Sequence, residues 1–199
     1  TAALVLASRS GLVAGAEAAA VTVVDELRAR SEVRVLACDV GRLQDAQALL
    51  RDASSLPPPL SGVLHAAGVL RDVLLRSMRA EQVELVFAPK AVGGWQLRLC
   101  SACHGLAAFV CFSSIAGLLG NVGQGNYAAA NTYLDGLAQQ RRAHAQAASS
   151  LQLPAVLGAG MGEATFGSDG LSQLWTVSLD EFAQCLCTVV GLDALPQSQ

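Results

Sequence analysis

The run Ala107-Ala108-Phe109-Val110-Cys111-Phe112 ends on the hydroxyls of Ser113 and Ser114, and Gln124-Gly125-Asn126-Tyr127-Ala128-Ala129-Ala130-Asn131 follows after a glycine-marked loop. Consecutive apolar residues of this kind suit a strand of a parallel sheet, covered on both faces. The alanine-rich stretch after the loop reads as a helix. Tyr127 stands thirteen positions after Ser114, near the helix start. Asn131 lies one turn further on, on the same helix face. A hydroxyl at a strand end and a phenol at a helix start, once brought together, can polarise a carbonyl and protonate its oxygen.

The same alternation extends outward in both directions. Residues 3–7, 33–38, 60–65, 107–112 and 151–157 read as strands; 16–30, 42–53, 78–100, 125–147 and 178–190 read as helices. Strand–helix alternation with nearly continuous apolar strands predicts a doubly wound α/β sheet with right-handed crossovers. Pro57-Pro58-Pro59 marks the loop before one strand, because proline cannot continue a helix.

With 199 residues the chain buries one core, so residues 1–199 are expected to form a single domain. It is 52% hydrophobic but only 5% aromatic, so alanine, leucine and valine must do most of the packing. A formal charge of −3 supplies no basic field and argues against nucleic acid as a partner. No apolar run reaches the roughly 18 residues a membrane span requires. The chain opens on Thr1 and enters a strand at once, so it reads as a piece of a longer protein, and localisation stays open. Its cysteines read as small buried hydrophobes. Cys100-Ser101-Ala102-Cys103-His104 has the c-type haem spacing, but its flanks read as helix end and loop, and no metal site is expected.

The segment from Ser114 to Asn131 resembles the short-chain dehydrogenase/reductase superfamily and, within it, the ketoreductase domains of modular polyketide synthases. The resemblance implies a Rossmann-type, mostly parallel sheet. That sheet's first strand and glycine-rich turn would lie upstream of Thr1, because the strand at 3–7 is the one that carries Arg9. Most of the superfamily has lysine four residues after the tyrosine. Asn131 stands there instead, and in polyketide ketoreductases the lysine sits on the preceding long helix. Lys90, the one lysine of the sequence, is at that place. The resemblance therefore implies a catalytic set of Ser114, Tyr127, Lys90 and Asn131, with the Lys90 ammonium lowering the phenol's pKa.

On the cofactor side, the first strand ends in Ser8-Arg9-Ser10. The acidic residue that would favour NAD is absent, and an arginine suits the 2′-phosphate of NADPH; a solvated strand-end arginine is the bland reading. Asp39 and Val40 end the second strand; the resemblance turns Asp39 towards adenine, although aspartate also caps helices. Ala66, Ala67 and Gly68 let the backbone approach the cofactor. His65 beside them reads as a packed structural histidine.

Leu70-Arg71-Asp72 is similar to the leucine–aspartate–aspartate motif of ketoreductases that give the D-configured alcohol. Leu119 stands where the opposite class has tryptophan. Asp72, Leu119, Gln124 and Met161 are thus the expected substrate and stereocontrol positions, with Asp72 alternatively an ordinary helix-start residue. Trp175 either caps the pocket or packs. The implied reaction is NADPH-dependent reduction of a β-ketoacyl thioester on an acyl carrier protein, beside other domains of the same synthase. A fatty-acid synthase ketoreductase, or a non-catalytic domain retained for packing, are the alternatives.

Overall fold

The computed structural model describes residues 3–12, 18–158 and 175–191. Strands β1 (Ala3–Ser8), β2 (Glu32–Ala37), β3 (Gly62–His65), β4 (Ala108–Ser114) and β5 (Ser149–Leu153) alternate with helices. These are α1 (Ala18–Arg28), α2 (Leu43–Ser54), α3 (Ala80–Phe87), α4 (Gly93–Cys100), the short α5 (Ala116–Leu119) and α6 (Gly125–Ala143). Two-residue strands β6 (Ala155–Val156) and β7 (Thr176–Val177) and helix α7 (Leu179–Val190) complete the order. All strand pairs are parallel, which makes the chain an α/β protein of the expected Rossmann type.

The strands form two half-sheets, β1–β2 and β3–β4–β5, with β6–β7 as a separate pair. In the strand order 3-2-1-4-5-6 of dinucleotide folds, the first strand sits in the middle of the sheet. The division between the half-sheets falls at that place. Among the described residues no strand pairs with the second edge of β1 or of β3.

The main core lies between β4 and the helices covering it, and joins Phe109 and Cys111 to Leu97, Leu106, Leu134, Leu137 and Ala138. Phe109 and Leu134 are wholly buried, each stabilising the fold by about 1.5–3 kcal/mol. Ala130 and Ala138 are also fully buried; their small side chains let α6 lie close on β4. A second cluster joins Val86, Ala116, Tyr127 and Ala130.

Three elements differ from the sequence reading. The helix expected over 78–100 is α3, a π-helical turn (Ala88–Val92) and α4 in succession. Pro89 lacks an N–H and its ring crowds the carbonyl four residues back, so the hydrogen-bond ladder widens there. The strand expected over 151–157 is cut at Pro154, which cannot donate to a ladder; β6 beyond it pairs with β7. The helix expected to reach 147 ends at Ala143, where Arg142 turns back to donate to the Ala148 carbonyl. Trp175, expected either to cap the pocket or to pack, is 70% exposed. All six cysteines are free; Cys38 and Cys111 are buried as expected, but Cys185 and Cys103 are exposed.

Candidate active site

β4 delivers Ser114 to the carboxyl end of its half-sheet, level with Leu153 of β5. The two neighbouring hydroxyls have separate partners. Ser113 is buried and its Oγ donates to the Asn131 carbonyl at 3.3 Å, tying β4 to α6. Ser114 Oγ accepts the Ala116 N–H at 3.2 Å, and the same side chain hydrogen-bonds the Tyr127 phenol, so the two hydroxyls stand side by side. Ser114, expected from the sequence to act on the substrate, is thus the serine of the pair that reaches the phenol.

Tyr127 lies in the first turn of α6 and is 9% exposed. Lys90 is 2% exposed; its Nζ donates to the Phe112 carbonyl at 2.8 Å and lies 5.4 Å from the centroid of the Tyr127 ring. Asn131, fully buried, donates from Nδ2 to the Tyr127 carbonyl one turn back at 2.8 Å. Its Oδ1 is buried without a hydrogen-bond partner. A buried acceptor of this kind is costly unless something donates to it. Lys90, Asn131 and Ser114 therefore gather around Tyr127.

The electrostatics correct one expectation. The Tyr127 phenol is raised above its ordinary value: burial dominates, and the Asn131 and Ser114 side chains pull it back only in part. The Lys90 ammonium lies over the ring, and the expected lowering of the phenol is not seen. A raised phenol remains protonated at neutral pH, in the form that can donate. Burial also lowers Lys90 to about 8, so its charge titrates close to working pH.

The loop at Leu70–Val73 is laced to the start of α6. Gln124, 3% exposed, donates from Nε2 to Asp72 Oδ2 at 3.0 Å. The Val73 N–H donates to the Gly123 carbonyl at 2.7 Å. Asn126, which the sequence reading passed over, accepts the Tyr127 N–H on Oδ1 and donates from Nδ2 to the carbonyls of Arg71 and Gln82. Three bonds from one buried amide, two donated and one accepted, fix the turn that aims the tyrosine. A polar residue directly before the tyrosine was the only sequence signal for it. Leu119 ends α5 and is 59% exposed. Met161 lies outside the described residues.

The cofactor-side residues fall at the strand ends of both half-sheets. Arg9 is exposed in the turn after β1 and has no partner among the described residues. Ser10 is used locally: its Oγ accepts the Leu12 N–H at 3.3 Å. Asp39 Oδ1 accepts the Gly41 N–H at 3.0 Å, so one carboxylate oxygen holds the turn and the other is free. Val40 packs towards Gly93, where an added Cβ would lie 2.7 Å from its Cγ2. Ala66 is exposed and Ala67 and Gly68 are partly so; the end of β3 thus stays uncovered. An exposed guanidinium, small uncovered residues at the end of β3 and a buried amide acceptor at Asn131 fit a nicotinamide dinucleotide. The described residues include no glycine-rich turn for its pyrophosphate.

The KR domain family model matches residues 1–158. Over 149 residues the chain is 48% identical to polyketide synthase GfsB of Streptomyces halstedii, covering 74% of this chain and 3% of that protein. It is 43% identical over 150 residues to mycoketide-CoA synthase of Mycobacterium tuberculosis, covering 74% and 4%. The solved structure of the first ketoreductase of the tylosin PKS is 37% identical, with a TM-score of 0.78, covering 96% of this chain and 40% of that one. An A1-type ketoreductase is 32% identical, with a TM-score of 0.84 and the same coverages. The chain thus spans a few per cent of the synthases it matches and two fifths of the solved ketoreductases. By its fold and this match, the chain belongs to the KR domain family of polyketide synthases, ketoreductases of the short-chain dehydrogenase/reductase superfamily that turn a ketone into an alcohol.

Proposed function

We propose that residues 1–199 are one catalytic unit of a larger synthase, reducing a β-ketoacyl thioester on an acyl carrier protein to the β-hydroxyacyl thioester with NADPH. The observation that carries this reading is the gathering of Lys90, Asn131 and Ser114 around Tyr127, at the carboxyl end of the parallel strand β4. The fold implies a nicotinamide cofactor; NADPH is the more specific proposal, supported by the exposed Arg9 at the end of β1. When bound, the reduced nicotinamide supplies hydride to the β-carbon. Arg9 would hold the 2′-phosphate, Asp39 the adenine, and Ala66–Gly68 would line the ribose.

The remaining steps belong to this chain. Ser114 donates its O–H to the substrate carbonyl and polarises it. Tyr127, kept protonated by its burial, gives its proton to the oxygen as negative charge develops there. Lys90, lowered to about 8, can return a proton towards the phenol without a large energetic penalty. Asn131 Oδ1, the orphaned acceptor, takes a hydrogen bond from a water or the lysine and closes the relay.

The D-configured product is proposed from Asp72 and Leu119. Asp72 ties its loop to Gln124, three residues before the tyrosine, so it governs how the loop borders the acyl chain. Asp72→Ala is expected to lower the ratio of D- to L-alcohol at least several-fold while total NADPH consumption changes less. Chiral chromatography of the product checks it; an unchanged ratio would remove Asp72 from stereocontrol. The proposed function itself is tested by NADPH consumption with a short β-ketoacyl thioester. Turnover supports it; a folded, NADPH-binding protein without turnover would favour the packing role instead.

A further inference from the structure

His65 ends β3 and is 2% exposed, and the proposed chemistry gives it no role. Its ring is wedged against the paired glycines that begin α4. A Cβ added to Gly93 would lie 3.3 Å from His65 Cε1, and one added to Gly94 would lie 3.3 Å from Cδ2. Any larger residue at either place would compete with the imidazole for space.

The imidazole Nε2 lies 2.8 Å from the Lys90 carbonyl. A carbonyl only accepts, so Nε2 carries the proton and donates it. Burial lowers the ring to about 4, which keeps it neutral, in that donor form, throughout the working range. The accepting carbonyl is in the π-helical turn Ala88–Val92, where the usual helical ladder is widened; the same oxygen also takes the Gly93 N–H. Single π turns recur at functional sites because they displace one residue from its helical place. Here the π turn Ala88–Val92 carries the lysine.

At its other end Lys90 is held by Phe112 of β4. In the β3–β4 register His65 stands opposite Cys111, directly before Phe112. Two adjacent strand ends therefore grip one lysine, β3 by the backbone and β4 by the ammonium. We propose that His65 is a positioning residue: it clamps the π turn so that the Lys90 ammonium spans to the Phe112 carbonyl beneath the Tyr127 ring. This inference rests on Lys90 serving the reaction as proposed above.

The groups facing the ammonium are Tyr127 and Asp135 from α6, Cys111 from β4 and the neutral His65 from β3. None of these but the clamp itself is altered in a His65 variant. His65→Leu keeps the buried bulk and removes the donor; His65→Gln places an amide N–H near the position of Nε2. The experiment measures kcat, KM and the pH profile of kcat for both in the intact protein, beside Lys90→Met. His65→Leu is expected to lower kcat about 5–10-fold with KM little changed. It should also move the alkaline limb upwards, because a released lysine gains water and recovers a higher pKa. His65→Gln should restore most of both. If His65→Leu does not fold, His65→Gln is compared with His65→Asn, whose amide falls short of the carbonyl; equal rates and limbs for these two would refute the clamp. Lys90→Met inactive with a wild-type rate and profile in His65→Leu would overturn this inference alone. Lys90→Met at the wild-type rate would instead overturn the role of Lys90, and the clamp with it.

Discussion

Tyr127→Phe is expected to lower kcat for ketone reduction by about 10²–10⁴-fold, the range general acid catalysis contributes. KM for the thioester and affinity for NADPH should hardly move, because the ring remains and only one oxygen is lost. That oxygen is the proton source. The phenol is buried, its pKa is raised by that burial, and Ser114 retains only a polarising role without it. The fold should tolerate the change: the ring packs with Val86, Ala116 and Ala130, and Asn126 holds the backbone N–H, not the hydroxyl. Equal falls in kcat and kcat/KM would identify an interaction made in the transition state only. A variant that kept a tenth of the wild-type rate would show that another group delivers the proton.

Lys90→Met should act on activity and stability in opposite directions. With Lys90 lowered to about 8, wild-type kcat should fall as pH rises through about 8 and the ammonium discharges. The variant should lack that limb and turn over about 10²-fold more slowly. The stability effect has the other sign. The folded pKa is below the unfolded one, so between about 8 and 10.5 the unfolded chain binds more protons. Stability therefore rises with pH across that window. At neutral pH the buried ammonium is a burden of order 3 kcal/mol, offset in part by its bond to Phe112. Methionine fills the same space without charge, so the variant should unfold at higher urea and lose the pH dependence between 8 and 10.5. Urea titrations at neutral and alkaline pH check this; a destabilised variant at pH 7 would mean that the ion's contacts outweigh its desolvation.

The site was more legible in the sequence than the details of the scaffold. Ser114, Tyr127 and Asn131 lie on one strand–loop–helix unit, and a strand end plus a helical turn fixes their separation with little freedom. The order of strands and helices was legible because each buried strand reads as a continuous apolar run. Lys90 depended on resemblance, since nothing in its spacing from Tyr127 relates two separate helices. Its π turn was hidden: Pro89 and the Gly93-Gly94 pair mark a disturbance, but not whether the ladder breaks or widens. The cut at Pro154 was readable in principle, and β7 was not, because two residues carry no periodicity. The role of His65 was missed for a physical reason. A buried histidine at a strand end is usually satisfied by any nearby carbonyl, and only the folded register shows that this carbonyl belongs to the lysine. Asn126 was missed likewise, since its partners, Arg71 and Gln82, are more than forty residues away in sequence.

On the proposed reaction, this chain directs hydride from NADPH to the β-carbon of a ketoacyl thioester. The most direct measurement supplies the intact protein with NADPH deuterated at the transferable position and a short β-ketoacyl thioester, and weighs the product. One deuterium on the β-carbon of a β-hydroxyacyl thioester, absent with Tyr127→Phe, is the result predicted. A folded protein that binds NADPH and yields no labelled alcohol would contradict it.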